Sequence, residues 1–225
     1  SSSSPPSPIA MKSSRPMQTT KNRSSRLPAL VIIAVAILGA PSVNATETTV
    51  NFSATPVPTT GTEQKNPGFI AEITPAPEAD GRNVFRIAWP AYEGFFVAGY
   101  IDNAGILIER HGKYRLTAKI CAEQLGPECP ELSLRLIDKN WETYQVTAKI
   151  TPGEPGWMDV SWTLDTEDPK ASGAHFWGGA DKELAGVVNL PVRLRGFGLS
   201  FTNRKTPGGV FLVEQVKAMP VPATR

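Results

Sequence analysis

The residues of this chain best suited to recognition are aromatic, and several stand where a regular strand could not hide them. Trp141 falls in the turn Lys139-Asn140-Trp141-Glu142, where a tight reversal leaves an indole little to pack against. Trp177 follows His175 and Phe176 in Ser172-Gly173-Ala174-His175-Phe176-Trp177-Gly178-Gly179, an aromatic pair flanked by glycines. Tyr92 lies in the loop that runs from Trp89 to Phe96. A flat aromatic face stacks on the C–H side of a pyranose ring, and planar polar groups beside it take the hydroxyls. His175 could rim such a pocket. Arg135 belongs to an outward row with Arg115, Gln145 and Lys149 that could line its polar side. Each residue also has a plainer reading. Phe176 and Trp177 are read first as a plug of the core where the chain crosses its rim, since large aromatics are buried on average. The cationic row is equally what a solvated sheet face looks like. Trp89 continues the inward parity of Phe85 and Ile87 and is read as core, whereas Trp157 is read as sheet edge.

Other chemistries lack their marks. His111 and His175 are far apart and neither stands in a metal-ligand spacing. No nucleophile elbow and no phosphate-cradling glycine loop occurs in the sequence. With 21 acidic residues, pairs such as Asp159 and Asp165 arise by chance and designate no glycosidase centre. No catalytic residue is assigned.

The N-terminal residues bear on compartment. Ser1–Ala10 precede the first methionine and are read as outside the native chain. From Met11 to Ala45 the pattern is that of a signal peptide. Lys12, Arg15, Lys21, Arg23 and Arg26 precede the apolar run from Ala29 to Ala40, and Val43-Asn44-Ala45 offers a cleavage site after Ala45. That run is shorter than the roughly 20 residues a membrane span needs, so no membrane partner is expected after cleavage. An uncleaved anchor is the alternative. The expected location is secreted or periplasmic. Beyond Ala45 the chain holds 18 Lys and Arg against 21 Asp and Glu, which removes the compositional case for nucleic acid. In an oxidising compartment Cys121 and Cys129 are read as a disulfide closing a hairpin loop, contributing about 2–3 kcal/mol.

The elements that must position these residues are strands. Residues 46–66, rich in Thr, Pro and Ser, read as an extended linker with one short strand at Val50-Asn51-Phe52. From 67 to 219 apolar and polar residues alternate in short runs separated by turns. Tyr114, Leu116, Ala118 and Ile120 share one face, as do Leu132, Leu134 and Leu136; Tyr144, Val146, Ala148 and Ile150; and Met158, Val160, Trp162 and Leu164. Between Leu190 and Phe201 the inward set switches from even to odd positions, which requires a β-bulge at Gly196 or Gly198. Eight or nine strands in one module imply an all-β antiparallel two-sheet β-sandwich. Residues 220–225 read as a tail or the start of a further linker.

The order of the pieces GKYRLTAKI (112–120), LSLRLIDKNWETY (132–144), GWMDVSWTLD (156–165), HFWGG (175–179), LPVRLRGFGLSF (190–201) and GGVFLVEQVKA (208–218) resembles the galactose-binding-domain-like jelly rolls of secreted polysaccharide-degrading enzymes. That resemblance implies a non-catalytic carbohydrate-binding or accessory module. Its partner would be a polysaccharide or cell-wall glycan, with a catalytic domain encoded beyond Arg225. It also implies a structural calcium, for which the matching acids are Glu72 and Glu214, with Gln215 where a further acid would help. Two ordinary strand carboxylates are the plainer reading of that pair. A stand-alone β-sandwich lyase or hydrolase and a structural or adhesion spacer are the alternative functions.

Overall fold

Alternation dictates the architecture. In a strand successive side chains point to opposite faces, so each apolar set found above must close against another. The computed structural model describes residues 46–52, 59–65, 67–102, 104–177 and 186–222, with Trp177 described through its backbone only. The leader, its cleavage site, Gly178 and Gly179 lie outside the described residues.

The described strands, in chain order, begin with β1 (Thr48–Asn51), β2 (Thr59–Thr62), β3 (Ile70–Pro75), β4 (Asn83–Trp89) and β5 (Tyr92–Glu93). Next come β6 (Phe96–Asp102), β7 (Ile106–Ile108), β8 (Lys113–Cys121), β9 (Glu131–Ile137) and β10 (Thr143–Lys149). The last are β11 (Trp157–Asp165), β12 (His175–Trp177), β13 (Val192–Ser200), β14 (Lys205–Thr206) and β15 (Gly209–Pro220). One sheet has the order β11-β8-β15-β4-β3, with β1 also on β15. The second has the order β12-β10-β9-β13-β6-β2, with β7 also on β13. β5 and β14 form a separate ribbon. All pairings are antiparallel. The expected sandwich is therefore present, with more strands than the eight or nine expected because several are only two to four residues long.

The inner faces meet in one core. Phe197 of the second sheet stands between Phe85 and Phe211 of the first, at ring distances of 6.1 and 6.0 Å. Trp89, Trp162, Leu134 and Val146 are buried there as their parity requires. The bulge falls between Leu194 and Gly196, leaving Arg195 as the extra residue. Gly196 has φ +144°, and a Cβ there would lie 2.1 Å from the carbonyl oxygen of Gly99. Only glycine fits. A second bulge, between Val213 and Gln215, sets Glu214 outside the ladder of β15 with β8. The sequence carries the same parity switch there, from Phe211 and Val213 to Val216 and Ala218.

Two expectations are corrected. Residues 46–66 are not a linker alone, because β1 pairs with Gln215–Ala218 of β15 and β2 with Gly99–Asp102 of β6. Val50 and Phe52 are core residues. The sandwich thus begins at Thr48 and ends at Pro220. Cys121 and Cys129 are both free and buried, in different places. Cys121 has the outward parity of β8 and packs with Ala76, Ala79, Val84 and Leu212, whereas Cys129 belongs to the inner core. The sheet separates them. Burial pushes the Cys129 thiol up to about 12, against an opposing hydrogen bond at the Glu131 backbone, so it is an inert apolar filler at neutral pH.

Candidate functional site

Trp141 is the most exposed of the aromatic side chains among the described residues, and one aspartate holds it there. Asp138 Oδ1 accepts from the backbone N–H of Asn140 (2.8 Å) and of Glu142 (3.0 Å). Its Oδ2 accepts from the backbone N–H (2.9 Å) and side-chain amide (3.1 Å) of Asn189. Backbone bonds from Asp138 N to Glu142 O, Trp141 N to Asp138 O and Lys139 N to Asn189 O complete the clamp. Within it Trp141 takes φ +65°, in the left-handed region, and is 71% exposed. An L-residue pays about 1–2 kcal/mol for that conformation. Here it turns an indole toward solvent rather than into the core.

The indole borders a cleft of about 300 Å³ whose other walls include Ile137, Lys139, Arg193, Arg195 and Asp102. Arg195 is the extra residue of the β13 bulge. It forms an ion pair with Asp102 and lies over the Tyr100 ring at 4.7 Å. Lys139 and Arg193 are exposed. A planar apolar plate thus stands beside guanidinium and ammonium donors, the combination that binds a hydroxylated ring. Of these residues only Trp141 was singled out from the sequence. Arg195 could have been found by placing the bulge one residue earlier.

The other expected site residues lie elsewhere or serve the fold. Register places His175, Gln145, Arg135, Gly196, Tyr100 and Gly61 in one row across the outer face of the second sheet. His175 is exposed on it. Arg135, expected to face solvent, is only 4% exposed. It forms an ion pair with Glu63 and lies 5.8 Å from the Phe96 ring. Desolvation lowers its pKa, the Glu63 carboxylate opposes this, and Arg195 adds to the lowering. The cause is the segment after β2. Glu63 N–H donates to Ala98 O and Gln64 Nε2 to Phe96 O (3.0 Å), drawing it over the sheet. Tyr92 is at the far end of β6 from the cleft. Its hydroxyl donates to Phe96 O and its ring meets Phe69 edge-on at 5.0 Å, so it is a rim brace rather than part of the cleft. Phe176 stacks on Tyr144 at 5.1 Å, in keeping with the plug reading. The Trp177 side chain lies outside the described residues; its backbone pairs with Thr143.

The calcium expectation meets cations instead. Glu72 is 2.8 Å from Arg86, while Glu214 contacts Arg82 and, at 2.7 Å, Lys119. Among the described residues no three His, Cys, Asp or Glu side chains gather as a metal group. Calcium takes six to eight oxygens. Glu72 and Glu214, each already neutralised by a basic side chain, do not fit it.

Below Trp141 lies a buried acid. Glu142 is 3% exposed; its Oε1 accepts from Gly186 N–H at 3.2 Å and its Oε2 is unpartnered. Burial raises its pKa, the Gly186 bond opposes that, and Asp138 raises it further. The Tyr144 hydroxyl, also unpartnered, is pushed well up by burial and then by Asp138 and Glu142.

No protein-family model and no curated protein sequence matches the chain. Among solved structures it is similar to the family 11 carbohydrate-binding module of a cellulosomal cellulase of Clostridium thermocellum. That match has 11% identity and a TM-score of 0.49, over 80% of this chain and 98% of the module. It is also similar to an exo-beta-agarase, with 11% identity and a TM-score of 0.48 over 78% of this chain and 25% of that one. An arabinose-bound α-L-arabinofuranosidase gives 10% identity and a TM-score of 0.46, over 72% of this chain and 23% of that one. The chain spans about a quarter of the length of these two enzymes.

Proposed function

We propose that the sandwich is a carbohydrate-binding module that seats a sugar ring on Trp141 and holds its polar groups with Lys139, Arg193 and Arg195. The observation that carries this reading is the exposed indole, fixed at positive φ by a fully satisfied buried aspartate beside a polar cleft. An unfavourable backbone conformation that presents an aromatic to water is more readily understood as serving a ligand than as packing. The reading is of binding without turnover. The two carboxylates that line the cleft among the described residues are engaged, Asp102 by Arg195 and Asp138 by four N–H donors. Neither is placed as a free acid or base. The cationic and apolar residues between Lys12 and Ala40 support export, and with it a polysaccharide or cell-wall glycan as the partner. An accessory role beside a catalytic domain is tested by the coding sequence beyond Arg225.

The direct test is affinity electrophoresis against a panel of polysaccharides, followed by calorimetry on those retained. Trp141→Ala is expected to weaken retained binding at least about tenfold, the scale for removing an aromatic anchor, with an unchanged circular dichroism spectrum. Retention of no polysaccharide, or retention indifferent to Trp141→Ala, refutes the assignment. Release of reducing ends or of unsaturated product by the purified chain refutes the non-catalytic part.

A further inference from the structure

The charges around Trp141 are unequal, and the inequality specifies the ligand more closely. Among the described residues five ionisable groups stand at the cleft: Lys139, Arg193, Arg195, Asp102 and Asp138. Arg195 and Asp102 neutralise each other. Asp138 is 3% exposed, with both oxygens occupied by N–H donors, so it presents no open oxygen to a ligand, and its charge offsets only one of the cations left. Lys139 and Arg193 remain, exposed and without an anionic partner among the described residues. Beyond Ala45 the whole chain carries more acidic than basic residues, 21 against 18.

Resting on the glycan-binding reading, we infer that the sugar stacked on Trp141 carries, or is linked to a residue that carries, an anionic group, a carboxylate or a sulfate ester. Lys139 belongs to the Trp141 turn and Arg193 to β13, and both line the cleft that the indole borders. Guanidinium meets a carboxylate or sulfate with paired N–H donors, and ammonium supplies a compact second charge. Neutral sugars need no such pair of uncompensated cations. Ion pairing at an exposed rim is screened by salt, so the recognition is also ionic-strength dependent.

The test compares polygalacturonate with its carboxyl-reduced, neutral form, and a sulfated galactan with its desulfated form, on the full chain by affinity electrophoresis and calorimetry. One of the anionic polymers is expected to bind at least about tenfold more tightly than its neutral counterpart at low salt, and the two pairs tell carboxylate from sulfate. Lys139→Gln and Arg193→Gln should each narrow that ratio about three- to tenfold, as expected for one exposed charge-assisted contact, with circular dichroism confirming the fold. Equal, Trp141-dependent binding of both members of each pair overturns the anionic preference and leaves the glycan reading standing. Retention of no polymer overturns both. Equal retention on polyglutamate, or anionic binding indifferent to Trp141→Ala, overturns it in favour of unspecific ion exchange.

Discussion

At the scale of single residues, Trp141 sets stability against presentation. Its indole is 71% exposed and so contributes little burial, while its φ of +65° costs free energy in every folded molecule. Glycine takes that conformation without the Cβ clash. Trp141→Gly is therefore expected to raise Tm by about 2–4 °C, the shift that about 1 kcal/mol produces in a domain of this size. Trp141→Ala, which keeps the Cβ, gains nothing comparable, and both lose glycan affinity. A lower Tm for Trp141→Gly in differential scanning calorimetry shows that the indole is needed for packing and removes the ground for assigning it to a ligand. The turn was legible from Lys139-Asn140-Trp141-Glu142 because a tight reversal must expose something. Which residue took the left-handed position was not, since that depends on Asn189, 51 residues from Asp138, reaching its carboxylate.

At the scale of elements, two segments meet beneath the cleft: the 138–142 turn and the 186–189 strap. Asp138 joins them through Asn189, and Glu142 through the N–H of Gly186. Glu142 is the weak member, because burial and the neighbouring Asp138 both favour its protonated form. A carboxyl whose folded pKa is raised stabilises the fold fully below its unfolded value, about pH 4, and loses that contribution as pH rises through the folded value. Glu142→Gln keeps the acceptor for Gly186 and has no proton to lose. It is expected to be more stable than the native chain at pH 8, the difference shrinking toward zero near pH 4, as followed by urea titration across that range. A difference independent of pH removes the buried-acid account. Strand faces were legible here and covering was not. Parity correctly placed Arg135 on the outer face, but parity cannot tell whether Glu63 and Gln64 will lie across that face. The same limit applied to the cysteines. Compartment argued for a disulfide, while the odd position of Cys121 among the even inward residues of β8 put it on the far side of the sheet from Cys129.

At the scale of the whole molecule, the inner faces were readable because each strand's apolar period is local, whereas the edges were not because their reason for being strands lies in the partner. β2 is Thr-Thr-Gly-Thr, a sequence with no apolar face of its own, and becomes a strand by hydrogen bonding along β6. β1 likewise completes a site on β15 that the second bulge leaves free of β4. These additions are not ornamental to stability. Phe52 is 2% exposed in the main core and meets the Phe85 ring at 5.9 Å. Removing a buried phenylalanine side chain alone costs about 3–5 kcal/mol. Glu63 pairs with the buried Arg135, and losing that carboxylate adds a further cost. Domains of this kind have only about 5–15 kcal/mol to lose. Deleting residues 46–66 is thus expected to abolish cooperative thermal unfolding at neutral pH, although the deletion follows the boundary that composition suggests. The finer comparison is Phe52→Ala with Glu63→Gln in the intact chain, which should each lower the midpoint of urea unfolding and together lower it additively, since Phe52 packs in the inner core and Glu63 pairs with Arg135 on the outer face of the second sheet. A deletion that melts at the native temperature with an unchanged slope would return 46–66 to the status of a linker, and would leave Arg135 to be held by its own sheet.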